Sequence, residues 1–167
     1  NYTHQTRYQL PIPPSPNLPN MKSIYLYPST CFFEATPVSL GRGTSLPFQV
    51  YGHPNMTGYN YSFTPRSIPG AKNPPQLNKL CHGVDLSNMS DEEIWKRGVD
   101  LTYVIDAYRN LNLDDHFFRS FFELLVGKDY VRKMIKEGKS ADDIKAMWKG
   151  DVEKFKAQRK PYLLYEE

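Results

Sequence analysis

The segment from Glu34 to Thr44 gathers the side chains best suited to binding chemistry. It holds one carboxylate (Glu34), one guanidinium (Arg42), hydroxyls at Thr36, Ser39 and Thr44, and glycines at 41 and 43 on either side of the arginine. Arginine presents a planar fork of donors that matches a carboxylate or a phosphate. Glycine reaches backbone conformations that other residues avoid and lets a ligand come close to the main chain. The phosphate-loop pattern is missing, since no Gly-Lys-Ser/Thr follows, so a carboxylate or a polyhydroxyl ligand fits better. A purely structural arrangement, in which Glu34 and Arg42 pair with each other and pin a loop, satisfies the same residues.

Glu34 and Asp85 are the two acids among the first 86 residues. Glycosidases commonly work with two carboxyl groups, about 5–5.5 Å apart for retention and about 6.5–9.5 Å for inversion. Asp85 stands equally well as the cap of a turn. The histidines, His4, His53, His82 and His116, match no metal-binding spacing. His82 lies in Leu80-Cys81-His82-Gly83-Val84, where neighbours on a strand point to opposite faces, so Cys81 and His82 do not form a nucleophile and its base. Cys31 and Cys81 are too few for a disulfide framework and wrongly spaced for zinc; they read as two buried thiols or as one disulfide. A Gly-x-Ser-x-Gly elbow is absent. Tyr25, Tyr27, Tyr51, Tyr59 and Tyr61 cluster in the same part of the chain, and tyrosine suits the border of a sugar site because it offers a flat apolar face and a hydroxyl.

These groups must be positioned by 167 residues, enough for one domain with a real core. The net charge of +3, with lysines interleaved among acids, argues against nucleic acid as a partner. No run of about 18 apolar residues exists to span a membrane, and no targeting segment is visible. Composition breaks near residue 87. Residues 1–86 carry six basic and two acidic residues and most of the prolines, whereas 87–167 carry fifteen basic and sixteen acidic residues and favour helix.

In the first part, Arg7 to Ile12 reads as a strand leading into an extended proline run, Pro11 to Pro16. Pro19 suits the first turn of a helix carrying Met21, Ile24 and Tyr25, which Pro28 should break. Cys31, Phe32 and Phe33 should be buried, a loop should run from Glu34 to Gly43, and Lys79 to Leu86 should be a strand with Leu80, His82, Val84 and Leu86 on one face. In the second part, Ser90 to Glu93 is a capping box opening a helix whose face unites Ile94, Thr102, Ile105 and Tyr108. Asp114 to Leu125 reads as a helix with Phe117, Phe118, Phe121 and Phe122 in the core. Asp129 to Glu137 is a short helix ended by Gly138. Ser140 opens another with an apolar stripe of Ile144, Met147, Trp148, Val152 and Phe155; Pro161 stops it before a last strand, Tyr162 to Tyr165. The fold class is α/β in the mixed α+β sense: a small sheet with several helices, loop-rich at the start and helical at the end.

Several separated motifs, in order, resemble one family. They are Tyr8-Gln9-Leu10-Pro11 through Pro19, Ile24-Tyr25-Leu26-Tyr27-Pro28 through Phe33-Glu34-Ala35-Thr36, Ser39 with Gly41-Arg42-Gly43-Thr44, Pro47-Phe48, Cys81-His82-Gly83-Val84, and Arg159 through Tyr165. The family is the exo-β-N-acetylmuramidases of the NamZ type. The resemblance spans residues 1–167 as a single domain similar to that family's C-terminal half, and leaves its N-terminal Rossmann-like half without a counterpart. It implies a glycoside hydrolase that removes N-acetylmuramic acid from the non-reducing end of peptidoglycan fragments, in the periplasm or outside the cell. This domain would form one wall of the cleft, beside the N-terminal catalytic half of the same protein. No metal or organic cofactor is implied. Glu34 becomes the candidate catalytic residue, and Arg42, Ser39, Gly41, Gly43, Thr44 and His82 the candidate substrate-binding residues. One departure is Glu34-Ala35-Thr36, where the family usually has Glu-Gly-Thr. A start at Asn1 just before the first motif suits a fragment, which should expose an apolar surface. A non-catalytic muramyl-sugar or peptidoglycan-binding module and an interaction domain are the alternative readings.

Overall fold

Short-range side-chain to backbone hydrogen bonds start three of the helices. Asn20 accepts from the Ser23 amide at 2.9 Å and the Ser23 hydroxyl reaches back to the Asn20 carbonyl, opening helix α1 (Met21–Thr30). Pro19 precedes this cap rather than sitting in the first turn. Ser90 caps α2 (Asp91–Arg97) by accepting from the Glu93 amide at 3.1 Å, while the Glu93 carboxylate pairs with Arg97 instead of closing the box. Ser140 and Asp143 form a full capping box at the start of α6 (Ala141–Arg159). Between them lie α3 (Thr102–Leu111), α4 (Phe122–Val126) and α5 (Tyr130–Lys136). The structure, a computed structural model, describes residues 2, 3 and 6–165; His4 lies outside the described residues.

Three short strands, β1 (Val50–His53), β2 (Tyr61–Phe63) and β3 (Cys81–Asp85), make one antiparallel sheet in the order β1-β3-β2. The register sets Tyr51 opposite Val84, Gly52 opposite Gly83, and His82 between His53 and Ser62. Gly83 is obligatory: a Cβ there would lie 1.9 Å from the Tyr51 carbonyl oxygen. One face of the sheet, with Tyr51 and Val84, packs on the main core, which contains Leu26, Phe33, Val38, Val104, Phe117 and Ile144. The other face is covered too, by Cys81, Val50 and Phe63. Tyr51 ties the layers together. Its ring stacks on Phe33 at 4.8 Å, and its hydroxyl donates to Asp106 of α3 at 2.8 Å, where Tyr59 also donates at 2.7 Å. Burial, reinforced by Asp106, raises the pKa of both phenols.

The mixed α+β class with a loop-rich start and helical end is what the structure has. Several element boundaries differ from the sequence expectation. Arg7 to Ile12 is not a strand; it has no regular structure and bends at Pro11 and Ile12, and the Arg7 guanidinium lies 3.8 Å over the Trp95 ring. Pro28 does not end its helix, which runs on to Thr30 and tightens into a 3-10 turn, Cys31–Ala35. Proline lacks an N–H, so the Ile24 carbonyl loses its helical donor, but the ladder resumes beyond it, the Cys31 amide donating to the Tyr27 carbonyl. The helix expected after Ser90 is two, because Gly98 turns the chain with φ +59°. The span from Asp114 to Leu125 holds a 3-10 turn and the short α4, with Phe117, Phe118 and Phe122 buried and Phe121 partly exposed. Leu80 is exposed. Past Ile144 the α6 stripe is largely exposed at Met147, Val152 and Phe155, and Tyr162 to Tyr165 form a turn and an exposed tail rather than a strand. Cys31 and Cys81 are free thiols. Among the described residues no helix is long and apolar enough to cross a membrane.

Two glycines separate packing from propensity. Gly83→Ala must part β1 from β3 and is expected to cost more than about 3 kcal/mol. Gly150→Ala, exposed in mid-α6 with nothing near its missing Cβ, is expected to stabilise by about 0.5–1 kcal/mol. Urea unfolding of both variants checks this, and equal effects would refute it.

Candidate functional site

The site is built from the end of α1 and the two loops that follow. In the 3-10 turn Cys31–Ala35, Phe32, Phe33 and Ala35 are buried while Glu34 is only partly covered, so its carboxylate points away from the core. Ala35 lies in a right-handed turn that alanine adopts freely, and its carbonyl accepts from the Arg119 amide at 2.8 Å. The family's usual glycine is not needed for this geometry. The Thr36 hydroxyl donates to the Phe33 carbonyl at 2.9 Å and accepts from the Val38 amide at 3.1 Å, which reverses the chain.

The next loop carries Arg42. Ser39 exchanges backbone hydrogen bonds with Gly52 of β1, at 2.8 and 2.9 Å, and the Phe48 amide donates to the Leu40 carbonyl at 2.7 Å, closing the loop at its base. Gly41 and Gly43 have φ of +80° and +83°; a Cβ on either would lie 2.4 Å from a carbonyl oxygen, that of Leu46 or Arg66. The fold itself therefore requires both glycines. The Thr44 hydroxyl donates to the Gly41 carbonyl at 2.7 Å and accepts from the Leu46 amide at 3.0 Å, while the buried Ser39 hydroxyl accepts from the Gly41 amide at 3.4 Å. All these bonds hold Arg42 at the tip of a fixed turn.

Arg42 Nη1 lies 3.9 Å from Glu34 Oε1, both side chains being about one-third exposed. That separation is too long for a hydrogen bond. The Arg42 Nε is shielded from solvent and has no partner among the described residues. The ionic pair is therefore loose, and the fork keeps donors for another acceptor. Burial raises the Glu34 pKa, and the opposing pull of Arg42 is the smaller effect. The charge on Glu34 is felt by Tyr27 and Cys31. Burial, then Glu34, raises the Tyr27 phenol, and raises the Cys31 thiol to about 11. Tyr27, Cys31 and Glu34 follow the i, i+4, i+7 spacing of one helical face. That signal was available in the sequence, but reading Pro28 as a break hides it.

The structure thus collects Glu34, Ser39, Gly41, Arg42, Gly43 and Thr44 in adjoining loops. His82 stands apart on the central strand β3, half-buried and facing His53 and Ser62, with no hydrogen bond or ion pair to Glu34 or Arg42 among the described residues. Asp85 caps a turn, accepting from the Ser87 amide at 2.8 Å and from the Asn88 side chain at 3.3 Å. No group of three or more His, Cys, Asp and Glu side chains able to hold a metal occurs among the described residues. An apolar groove of about 660 Å³ is lined by Pro28, Cys31, Phe32, Leu125, Trp148 and Phe155, so Cys31 and Phe32 of the turn that carries Glu34 belong to it.

Comparison with known proteins identifies the family of the chain. The family described as exo-beta-N-acetylmuramidase NamZ, C-terminal, matches residues 25–165. The peptidoglycan beta-N-acetylmuramidase NamZ of Bacillus subtilis is 34% identical over 167 residues, covering 91% of this chain and 40% of the relative. A crystal structure of a DUF1343 family protein from Bacteroides fragilis superposes with a TM-score of 0.98 at 82% identity, covering 100% of this chain and 47% of that one. A second DUF1343 family protein from the same organism, 21% identical with a TM-score of 0.64, covers 93% of this chain and 45% of its own length, and shares the fold. The chain spans less than half the length of these relatives.

Because burial lifts the Glu34 pKa, its ionisation costs the folded state. Below the ordinary glutamate range the group is neutral folded and unfolded, and the cost is absent; it sets in as pH rises through the folded pKa. Glu34→Gln is therefore expected to melt with the parent at about pH 3.5 and roughly 1–3 °C above it at pH 7. A glutamine variant that melts below the parent at pH 7 would show that pairing with Arg42 outweighs burial.

Proposed function

The chain belongs to the family of NamZ exo-β-N-acetylmuramidase C-terminal domains, and from that premise we propose that it forms one wall of a site for the N-acetylmuramic acid residue at the non-reducing end of peptidoglycan fragments. An N-terminal half supplies the other wall and the second catalytic group. The observation that carries this reading is the loose Glu34–Arg42 pair at 3.9 Å on rigid, partly exposed loops. N-acetylmuramic acid carries a lactyl carboxylate that N-acetylglucosamine lacks. Arg42, with unused donors in a planar fork, is the partner for that carboxylate. Glu34 faces the sugar; a carboxyl whose pKa is raised by burial holds the proton that a general acid must deliver to the leaving oxygen. Ser39, Gly41, Gly43 and Thr44 set the position of Arg42, and His82 is the more remote substrate-binding candidate.

The apolar groove next to Cys31, and the exposed Met147, Val152 and Phe155 of α6, suit coverage by a second half. A substrate of this class puts the protein in the periplasm or outside the cell. A binding module without turnover is the competing reading, and turnover separates the two.

A charge-assisted contact contributes about 1.5–3 kcal/mol, which corresponds to roughly tenfold or more in selectivity. Arg42→Lys replaces the fork with a point charge. With this chain joined to its N-terminal half, the expected outcome is at least a tenfold loss in kcat/KM preference for a chromogenic β-N-acetylmuraminide over the β-N-acetylglucosaminide. Unchanged discrimination removes Arg42 from the site. Parallel turnover by the 167-residue chain alone would refute the need for a second half.

A further inference from the structure

Five tyrosines lie between the start of α1 and the end of β3, and their surroundings sort them. Tyr51 and Tyr59 spend their hydroxyls on Asp106. Tyr25 packs its ring edge-on against Trp95 at 5.3 Å, and Tyr61 lies against Phe63 at 5.9 Å on the far face of the sheet. Tyr27 differs: its ring packs on Phe48, with centroids 5.0 Å apart and planes tilted by 54°, and the residue is 38% exposed. It shares its helical face with Cys31 and Glu34, one and two turns on.

Phe48 is an unusual backing. It is buried, yet its φ is +60°, a conformation that a bulky L-residue rarely adopts. Such strain persists where the surroundings over-determine it. Here the Phe48 amide donates to the Leu40 carbonyl at 2.7 Å and its own carbonyl accepts from the Thr30 hydroxyl at 3.3 Å. The same residue thus fixes the end of α1, the base of the Arg42 loop and the ring beneath Tyr27.

We propose that Tyr27 is the aromatic platform on which the pyranose ring packs at the Glu34–Arg42 site. This rests on the muramyl-sugar reading of that site and adds the residue that holds the sugar's apolar face. A pyranose in the β-gluco series presents C–H groups on its faces and hydroxyls around its edge. A flat ring takes the C–H face, while a carboxylate and a guanidinium at the side take the polar edge. Tyrosine loses little rotational freedom in doing so, and Phe48 holds the ring in place before the sugar arrives.

The test is steady-state kinetics on the chromogenic β-N-acetylmuraminide with the chain joined to its N-terminal half, comparing Tyr27→Phe, Tyr27→Leu and Tyr27→Ala, each with a melting curve. Tyr27→Phe keeps the ring and is expected to keep KM within about threefold, whereas Tyr27→Leu fills the space without a flat face and is expected to raise KM about tenfold while kcat moves less. Tyr27→Ala should match Tyr27→Leu in KM. The leucine variant answers the concern that alanine merely loosens the packing on Phe48, since it should melt close to the parent. A leucine variant with parental KM overturns the platform, and so does a phenylalanine variant as poor as alanine, which would assign the effect to the hydroxyl. Arg42→Lys and Glu34→Gln run alongside. If they impair the enzyme while Tyr27→Leu does not, the platform falls and the site stands; if all three behave as the parent, the site reading itself falls.

Discussion

Tyr51 joins three parts of the molecule at one point. Its ring stacks on Phe33, lies 5.9 Å from the ring of Tyr103, and its hydroxyl donates to Asp106 on α3. Phe33 immediately precedes Glu34. Gly52, immediately after Tyr51, exchanges hydrogen bonds with Ser39, three residues before Arg42. The carboxylate and the guanidinium therefore hang from neighbouring positions on one strand, and the gap between them is set by how firmly that strand is held. Burial keeps the Tyr51 phenol protonated, so it stays a donor to Asp106 across the ordinary pH range. The absence of a Cβ at Gly83 lets β3 press against the Tyr51 carbonyl from the other side.

This rigidity gives the loose ion pair its meaning. Two flexible, exposed side chains of opposite charge would close to hydrogen-bond distance when their geometry allowed it. Glu34 and Arg42 stand 3.9 Å apart, on backbone held by the 3-10 turn and the glycine-flanked loop. The fold then carries an ionisable group whose charged form it disfavours, a local cost of the kind found where function constrains sequence. The Arg42 loop spends Ser39, Thr44 and both glycines on its own shape. Those residues reach a ligand, in the proposed site, through the side chain they hold in place.

The parts of the fold legible in the sequence were those decided within four residues. The caps at Ser90 and Ser140 and the terminating Gly138 are local hydrogen-bond and φ requirements, and the structure has all three. Phe32 and Phe33 were legible as buried, whereas Cys31, expected to join them, is only partly covered. What failed depended on tertiary context. Pro28 looks like a stop because it has no N–H, yet that removes the donor of one carbonyl, Ile24's, and the helix runs on to Thr30 before tightening into the 3-10 turn. The spacing that unites Tyr27, Cys31 and Glu34 becomes visible once that helix is continued. At Gly98 the opposite happened: a periodic pattern continued across a residue whose positive φ splits the helix, and Asp100, capping Thr102 at 2.8 Å, starts the next one. Alternation around β3 suggested one buried face, but Cys81 packs against Val50 and Phe63 on the other.

The stripe on α6 carries the same lesson toward function. Periodicity of three and four reveals which face of a helix is apolar; it is silent on what covers that face. Ile144 reaches the core, but the stripe continues beyond it; Met147 stays exposed, and Val152 and Phe155 stay exposed along the wall of a groove whose other wall includes Pro28 and Phe32. Cys31, which feels the Glu34 charge, lines that groove. In a two-part enzyme, a partner half laid into the groove would bury this apolar surface and abut the turn that carries Glu34. The energy of association and the completion of the site would then share one surface. Removing water from the rim would push the Glu34 carboxyl further toward its protonated form, the state required to donate a proton to a leaving sugar oxygen.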